Sequence, residues 1–310
     1  MKQEKSERQW IGNMTNERGF LLYANHSDRI DYLQLAICCS LSIKTNLKNN
    51  SVTVVLDGES KKHLDVHPKE VVDKAFDNII VTSNKFQAPI REHRNSPWTT
   101  FKTEFNNQHR ILAYQHSPYK ETILIDTDLI IANNELDSIW NCSKEFLMNR
   151  KAIDLQGNKF GSIEEERLDI NGIPMYWATM VYFKKCKFSE IFFDLVKYIK
   201  EEYGYFRFLY GFEGSYYRND YAFSIAAHIL NGFVYGGQKS FPNDTIITSY
   251  QEDEIAEIKD SREFIVLSTN MDEKWKSVLV NTKEMSVHFM NKLELIRISD
   301  KFIKSCMEKL

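Results

Sequence analysis

The chain has 310 residues, a length that fits one large α/β domain or two small ones, and either can bury a substantial core. Hydrophobic residues make up 43% of the sequence and charged residues 27%, which is ordinary for a globular protein. A formal net charge of −3 gives the whole molecule no electrostatic footprint for nucleic acid. No apolar run approaches the roughly 20 residues that a membrane span requires.

Strand and helix patterns alternate over the first part of the chain. Residues 1–18 are polar and are expected to form a mobile or loosely docked arm. The predicted strands that follow cover residues 20–23, 51–56, 78–82 and 122–125. The first predicted helix begins near Ser27 or Asp28, either of which can cap it. Two further helices are predicted over residues 68–76 and 98–115. This alternation predicts a mostly parallel sheet with helices on both faces, in which ligands bind beyond the carboxyl ends of the strands.

The pattern is less regular after residue 128. A strand is predicted over residues 176–183, helices over 188–203 and 218–230, and late strands over 264–267 and 285–289. The five cysteines are an odd number and show no C-x-x-C spacing, so we expect a reduced, cytoplasmic protein rather than a disulfide scaffold or a zinc site.

The acidic pair Asp126 and Asp128, separated by Thr127, directly follows the apolar segment 123–125. Two carboxylates at a strand end can converge on Mn²⁺ or Mg²⁺, which share their remaining positions with phosphate oxygens and water. Such a cation neutralises the charge that develops on a leaving diphosphate. A simple loop turn is the competing interpretation, because aspartate is common after strands.

Near the C-terminus, His288 lies between apolar residues that suit a strand, and Lys292 follows four positions later. The imidazole could supply a nitrogen ligand to the same metal, and the lysine could reach a diphosphate. A lone histidine is more often a structural residue, so this motif gains weight only in combination with the acidic pair.

Polar residues in the second half of the chain are candidates for the sugar or acceptor side. Asn219 and Asp220 open a predicted helix, where Asp220 either stabilises the helix dipole or acts as a hydrogen-bond acceptor or base. Trp177 and Thr179 follow a turn, and they either line a sugar-binding wall or belong to a buried strand entrance.

Two basic residues precede the acidic strand. Lys102 and Arg110 are eight positions apart, which places them on roughly one face of the helix predicted over residues 98–115. They could contact a diphosphate or fix the acidic loop, whereas solvated surface charge is the ordinary interpretation for at least one of them.

Taken together, these motifs resemble glycosyltransferases of the GT-A fold, in which an apolar strand ends in Asp-x-Asp and a C-terminal histidine completes a manganese site. Residues 123–128 match the first feature, and His288 followed by Lys292 matches the second. Their order and their separation of about 160 residues are similar to the retaining glycogenin and galactosyltransferase-like group, family eight. The arrangement also looks like GT-A-like proteins encoded by large tailed bacteriophages, which would place this chain in a host cytoplasm.

The resemblance covers residues 19–292 and implies one GT-A-like domain over residues 19–310, with a closing segment at the C-terminus. It implies Mn²⁺ or Mg²⁺ as cofactor and a UDP-sugar as donor. The residues that it assigns to donor, metal and sugar contacts are Tyr23, Asn25, Asp57, Asp126, Asp128, Asn219, Asp220, His288 and Lys292. Thr127, Lys102 and Arg110 complete the predicted donor site because of their positions within and before the acidic motif. A departure concerns residues 171–173, which match the family's usual Asn-x-Gly strand entrance only loosely.

Other functions share parts of this pattern. A metal-dependent phosphatase of the haloacid dehalogenase type also uses Asp-x-Asp after a strand, but its motif comes early in the domain. A sugar-phosphate nucleotidylyltransferase needs a glycine-rich loop after the first strand, and residues 25–29 contain no glycine. A non-catalytic nucleotide-sugar or glycan-binding module is the third alternative. The acceptor is open between a glycan, a protein, a lipid-linked sugar and a modified DNA base, the last disfavoured by the acidic pI.

Overall fold

The structure is a computed structural model that describes residues 9–11, 17–82, 90–96, 99–104, 108–158, 167–168, 172–212, 217–248, 253–269 and 276–310. The strands of these residues are β1 (Gln9–Ile11), β2 (Arg18–Tyr23), β3 (Val52–Asp57), β4 (Asn78–Thr82), β5 (Ile90–Ser96), β6 (Thr99–Glu104), β7 (Glu121–Ile125), β8 (Leu129–Ile130), β9 (Phe146–Asn149), β10 (Ala152–Asp154), β11 (Trp177–Lys184), β12 (Thr245–Ile247), β13 (Glu254–Asp260), β14 (Glu263–Thr269), β15 (Ser277–Asn281) and β16 (Val287–His288). The α-helices are α1 (Tyr32–Asn46), α2 (Gly58–Leu64), α3 (Lys69–Ala75), α4 (Ala113–His116), α5 (Lys187–Glu201), α6 (Tyr203–Tyr210), α7 (Asn219–Leu230) and α8 (Lys292–Met307). Short 3₁₀ helices cover Gln108–Leu112 and Glu135–Asn141.

The central sheet has the strand order β1-β4-β3-β2-β7-β11-β9. Strands β4, β3, β2 and β7 are mutually parallel, whereas β1 and β11 run in the opposite direction and β9 is antiparallel to β11. The predicted α/β class, with a mostly parallel central sheet flanked by helices, is therefore confirmed. The carboxyl ends of β2, β3 and β7 meet at one edge, and residues 24–25, 57 and 126–128 lie there.

Alternate residues of the central strands contribute to two apolar cores, one on each face of the sheet. Phe20 and Leu22 of β2 belong to the first core, together with residues of α1 and α8. Leu21 and Tyr23 belong to the second core, together with residues of α5 and α7. This division follows from the two-residue period of a strand and creates three layers.

A second sheet, of strand order β10-β12-β16-β8, brings the end of the chain to the acidic pair. In the β16–β8 pairing His288 lies opposite Leu129, and Val287 lies opposite Ile130. Because Leu129 immediately follows Asp128, this antiparallel pairing fixes His288 beside that aspartate.

The C-terminal helix α8 was not predicted from the sequence, although its apolar positions recur at helical spacing. Leu295, Ile298 and Phe302 are buried against the first core. A hydrogen bond of 3.0 Å from Gln34 Nε2 to Ser299 Oγ joins α8 to α1. Helix α8 thus anchors the segment that carries His288 and Lys292.

The antiparallel sheet of β13, β14 and β15 was predicted only in part. The strand expected over residues 264–267 is confirmed within β14, whereas β13 and β15 were missed. The burial pattern of β13 alternates irregularly, and β15 is mostly exposed although it contains the apolar run 278–280.

The helix predicted over residues 98–115 is wrong for much of its length. Residues 90–96 and 99–104 form the hairpin β5–β6, and helical structure begins only at Gln108. The run Thr99-Thr100-Phe101 is rich in β-branched and aromatic residues, which favour an extended backbone. Lys102, opposite Glu92 in the hairpin, therefore shares no helix with Arg110.

The predicted cap of the first long helix is also corrected. Asp31 caps α1, because its Oδ1 accepts hydrogen bonds from the amides of Leu33 and Gln34, at 3.1 and 2.9 Å. Ser27 and Asp28 lie in the preceding loop. Of the predicted N-terminal arm, residues 9–11 form the edge strand β1.

All five cysteines have free thiols. Among the helices that the structure describes, none has the length and hydropathy to cross a bilayer.

Candidate metal centre

The acidic pair lies in a tight turn between β7 and β8. The Asp126 amide donates a hydrogen bond of 2.9 Å to the Thr179 carbonyl of β11, and the Leu129 amide donates one of 3.3 Å to the Asp126 carbonyl. These bonds fix both ends of the turn in the backbone. Thr127 and Asp128 are buried, whereas the Asp126 side chain is partly exposed.

Arg110 holds the first carboxylate. Its guanidinium is almost fully buried, with 1% of the residue exposed, and Nη1 forms an ion pair with Oδ1 of Asp126. Nη2 also donates to the Thr179 carbonyl at 3.4 Å. A buried guanidinium needs a charged partner, so Arg110 and Asp126 fix each other's position. Fixing the acidic loop is one of the two roles predicted for Arg110, and its assignment stays a prediction.

His288 and Lys292 converge on the second carboxylate. His288 Nε2 lies 3.1 Å from Asp128 Oδ1, and Lys292 Nζ lies 2.5 Å from Asp128 Oδ2. Burial by itself would raise the pKa of Asp128, but the charges and hydrogen bonds of His288 and Lys292 outweigh it and hold that pKa well below its usual range. Asp128 is therefore a carboxylate at neutral pH.

Asp126, Asp128 and His288 offer ligand atoms that all lie within 4.8 Å of one another. Two carboxylates and one imidazole suit a cation such as Mn²⁺, which accepts both oxygen and nitrogen ligands. Nδ1 of His288 is buried and has no hydrogen-bond partner among the residues that the structure describes. An imidazole with unused bonding capacity beside two carboxylates fits a metal site.

Asp220, the second residue of α7, is tied to the same region through β11. Its Oδ1 accepts a hydrogen bond of 2.8 Å from the Ala178 amide, and its Oδ2 lies 3.3 Å from Arg218 Nη2. The Ala178 amide is available for this hydrogen bond because the pairing of β11 with β9 shifts register between residues 177 and 181. Ala178 precedes Thr179, whose carbonyl accepts the Asp126 amide, so one short backbone segment connects Asp220 to the acidic turn.

The predicted nucleotide-contacting residues lie at the carboxyl ends of β2 and β3. The Tyr23 hydroxyl is 2.9 Å from His116 Nδ1, and Asn25 Nδ2 donates to the His26 carbonyl at 3.1 Å. Asp57 caps α2, because its Oδ1 accepts the Ser60 amide at 2.8 Å. All three candidates are buried, and their assignment to nucleoside contacts stays a prediction.

The remaining candidates are dispersed. Asn219 is buried at the start of α7, and Lys102 lies on the hairpin β5–β6. The residues proposed as a sugar-binding wall, Trp177 and Thr179, are buried, with 8% and 4% of their surfaces exposed. That burial favours the strand-entrance interpretation. Asn171, which belongs to the preceding turn, lies outside the described residues.

Three cationic or titratable residues near this region were given no role from the sequence. His109 precedes Arg110, Lys200 lies near the end of α5, and Arg218 directly precedes α7. Burial, followed by the positive charge of Lys200, lowers the pKa of His109 to about 4, although Asp57 opposes the shift. These residues come from three separate segments, so no linear motif could have grouped them.

No protein-family model matches the chain, and no curated protein matches its sequence. Solved structures do match. One is the glycosyltransferase GlyE of Streptococcus pneumoniae TIGR4, at 11% identity and a TM-score of 0.41, over 74% of this chain and 46% of that one. The chain thus spans less than half the length of GlyE.

Another match is the galactosyltransferase LgtC in complex with donor and acceptor sugar analogs, at 12% identity and a TM-score of 0.44. It covers 75% of this chain and 74% of LgtC. A third is mouse xyloside xylosyltransferase 1, at 9% identity and a TM-score of 0.39, over 68% of this chain and 82% of that one. All three of these proteins are glycosyltransferases.

Proposed function

We propose that this chain is a metal-dependent glycosyltransferase that transfers a sugar from a UDP-sugar donor to an acceptor. The observation that carries the proposal is the convergence of Asp126, Asp128 and His288 within 4.8 Å at the carboxyl end of a parallel sheet. The resemblance of the same motifs to GT-A glycosyltransferases, in the same order along the chain, supports the choice of reaction.

The residues of the site have distinct roles in this proposal. Asp126, Asp128 and His288 hold Mn²⁺ or Mg²⁺, and the cation, when bound, stabilises negative charge on the diphosphate. Lys292 lies against Asp128 and would contribute a positive charge to the same diphosphate, since its side chain is 21% exposed. Arg110 keeps Asp126 in place from the protein side.

Tyr23, Asn25 and Asp57 form the proposed nucleoside side of the donor site. They lie at the ends of β3 and β2, and β2 neighbours β7 in the sheet order, so a nucleotide bound there would lie beside the acidic turn. Asn219 and Asp220 form the proposed sugar side, because Asp220 is connected through Ala178 and Thr179 to Asp126.

The first test is hydrolysis of UDP-sugars in the absence of an acceptor. We expect Mn²⁺ to stimulate hydrolysis, excess chelator to remove it, and Asp128→Asn to abolish it. Asp73→Asn, a matched change of an exposed aspartate on α3, should keep wild-type activity. Turnover that is unchanged by chelator and by Asp128→Asn would overturn the proposal.

Ligand binding tests the donor independently of turnover. UDP with Mn²⁺ should raise the melting temperature, because a ligand that binds only the folded state stabilises it. Stabilisation by GDP or CDP without stabilisation by UDP would contradict the base assignment. Binding of UDP-sugar without any hydrolysis or transfer would instead identify a non-catalytic binding module.

A further inference from the structure

The sheet of β13, β14 and β15 has two edges that differ in how they are protected. At the β13 edge, the Ile255 amide donates a hydrogen bond of 3.0 Å to Oε2 of Glu294, and Arg297 Nη2 donates one of 2.5 Å to the Ile255 carbonyl. Both side chains belong to α8. Side chains that occupy the backbone groups of an edge strand prevent another strand from pairing there. The β13 edge is therefore blocked from within the chain.

The opposite edge, strand β15, carries an apolar run. Its residues are Ser277, Val278, Leu279, Val280 and Asn281, with no charged residue and no proline among them. Leu279 is 67% exposed and Val278 is 46% exposed. The five residues pair with β14 in one continuous register, whereas the pairing of β13 with β14 shifts register twice. Charges, prolines and bulges are the usual protection of an edge strand, and β15 has none of these within its length.

The backbone groups of alternate β15 residues point away from β14. Beyond the end of β15, the Thr282 amide donates a hydrogen bond of 2.9 Å to the Phe264 carbonyl, in continuation of the β14–β15 register. Hydrogen-bonded pairs alternate with non-hydrogen-bonded pairs along an antiparallel ladder, so the even-numbered residues of β15 bond to β14. The N–H and C=O groups of Ser277, Leu279 and Asn281 are consequently directed to the outer edge.

The sequence of β15 matches itself when it is read in the opposite direction. If two copies pair antiparallel about a two-fold axis at Leu279, that leucine lies opposite its own copy and Val278 lies opposite Val280. Ser277 then lies opposite Asn281, so apolar residues face apolar ones and polar residues face polar ones. The outward N–H and C=O groups also lie opposite one another, as hydrogen-bonded pairs require. Moving the axis by one residue, to Val278, would place Ser277 opposite Leu279 and lose this match.

The exposed side chains of β15 leave room for a second strand on both faces of the sheet. On the inner face, Phe264 of β14 packs on Phe302 of α8, with ring centres 5.5 Å apart, but Val278 remains 46% exposed. The cover that α8 gives to the sheet therefore does not extend to this part of β15. On the outer face, Leu279 lies opposite the half-buried Leu267. A strand added at this edge would remove apolar surface from water on both faces.

We propose that β15 pairs with β15 of a second copy of this chain, which creates a two-fold dimer with a continuous six-stranded antiparallel sheet. The second copy is the partner because the edge is complementary to its own sequence. A two-fold interface uses the same surface of both copies and closes at the dimer. Because the paired segment has only five residues, the interface is small and the dimer is weak and concentration-dependent. The metal centre takes no part in this contact, so the proposal is independent of the proposed function.

Sedimentation velocity at increasing protein concentration tests the association. Wild type should convert from monomer to dimer and form nothing larger. Leu279→Lys should weaken the dimer at least about tenfold, because two ammonium groups would lie directly opposite each other. Its melting temperature at low concentration should match that of wild type, since the side chain is mostly exposed. Val66→Lys, at a position that is 81% exposed and lies outside this sheet, is the matched control and should dimerise as wild type does.

Disulfide formation tests the register. Residues 278 and 280 of opposite copies would form a non-hydrogen-bonded pair with Cα atoms about 4.5 Å apart, which is within the range of a disulfide. Val278→Cys and Val280→Cys, mixed and mildly oxidised, should therefore become linked to each other. Each variant alone should give little linkage at the new position, because equivalent positions would then be diagonal neighbours about 7–8 Å apart. Mass spectrometry of the linked peptides separates these products from disulfides of the native cysteines.

Four results would overturn the proposal. Wild type that stays monomeric at every concentration shows that the edge does not pair. A dimer that Leu279→Lys leaves intact uses another surface, and assemblies that grow beyond the dimer are not closed by a two-fold axis. Linkage at position 278 or 280 that is as strong in the separate samples as in the mixture rejects the register centred on Leu279.

Discussion

Lys292 Nζ lies 2.5 Å from Asp128 Oδ2, which joins the start of the last helix to the turn after β7. The other carboxylate oxygen of Asp128 faces His288 Nε2 at 3.1 Å. One nearly buried carboxylate is therefore shared by two residues from the C-terminal segment, although they lie about 160 residues away in the sequence. This relationship makes Asp128 both a candidate metal ligand and a link between distant parts of the fold.

Asp128→Asn should consequently affect both activity and stability. The amide keeps the shape of the side chain but removes the charge that attracts a cation, so Mn²⁺-dependent hydrolysis should fall at least about a hundredfold. The free energy of unfolding should fall by about 1–3 kcal/mol, because Lys292 and His288 lose a charged partner. Urea unfolding and hydrolysis assays measure the two effects. Wild-type stability in the variant would show that the ion pair contributes nothing net.

The pH dependence of stability provides a test of His109. Its folded pKa of about 4 is below the ordinary value of 6.5, so between these values the unfolded chain binds a proton that the folded chain does not. Stability should therefore fall as the pH drops through this window. His109→Gln should flatten the dependence, as measured by urea unfolding, whereas the same change at exposed His63 should leave it in place. An unchanged pH profile in His109→Gln would show that other groups control it.

Asp57 can be tested for a nucleoside role apart from its structural role. It caps α2 through the Ser60 amide, and asparagine is about as good a helix cap as aspartate. Asp57→Asn should keep the melting temperature and weaken UDP binding, whereas Asp57→Ala should also lose about 1 kcal/mol of stability. Thermal unfolding and calorimetric titration with UDP separate these effects. If Asp57→Asn binds UDP as wild type does, the carboxylate serves only as a cap.

Asp220 allows a similar separation. The oxygen of Asp220→Asn can still accept the Ala178 amide, so the link to β11 survives, but the charge that faces Arg218 is lost. We expect a large loss of transfer with UDP affinity little changed. Asp220→Ala should also lower stability, because the Ala178 amide loses its acceptor. Equal losses of UDP affinity and transfer in Asp220→Asn would place the residue on the donor or metal side.

The parts of the fold that could be predicted from the sequence are those with strong local periodicity. The strand over residues 78–82 has the predicted bounds, and the helix predicted over 218–230 differs by one residue at its start. Residues 99–104, which were predicted as part of a helix, form strand β6 of the hairpin, because the β-branched and aromatic residues around Thr99 favour an extended backbone.

The site itself could be predicted only where its residues form contiguous motifs. Asp126 and Asp128 occur together, and His288 and Lys292 follow the order of a known family. The contacts of Arg110 with Asp126 and of Lys200 with Tyr217 depend on how separate elements pack, and no linear spacing encodes them. Long-range contacts of this kind require the three-layer arrangement of the fold.

His288 and Lys292 are expected to have different roles at Asp128, which substitutions can separate. Both contact Asp128, but only His288 offers a metal ligand, because an ammonium group has no lone pair to donate. His288→Gln should weaken Mn²⁺ binding about 10- to 100-fold, as measured by calorimetric titration without nucleotide. Lys292→Met should leave that affinity unchanged or strengthen it, since a competing cation is removed, but should weaken UDP binding in the presence of saturating Mn²⁺.

Comparing these two variants also tests whether the losses of Mn²⁺ and UDP affinity have a purely structural cause. Both residues belong to the segment that β16 and α8 anchor, so a general loosening of the C-terminus would weaken Mn²⁺ and UDP binding together in each variant. Separate losses, of metal affinity in His288→Gln and of nucleotide affinity in Lys292→Met, require specific contacts. Parallel losses of both affinities in both variants would mean that the segment only supports the turn at Asp126 and Asp128.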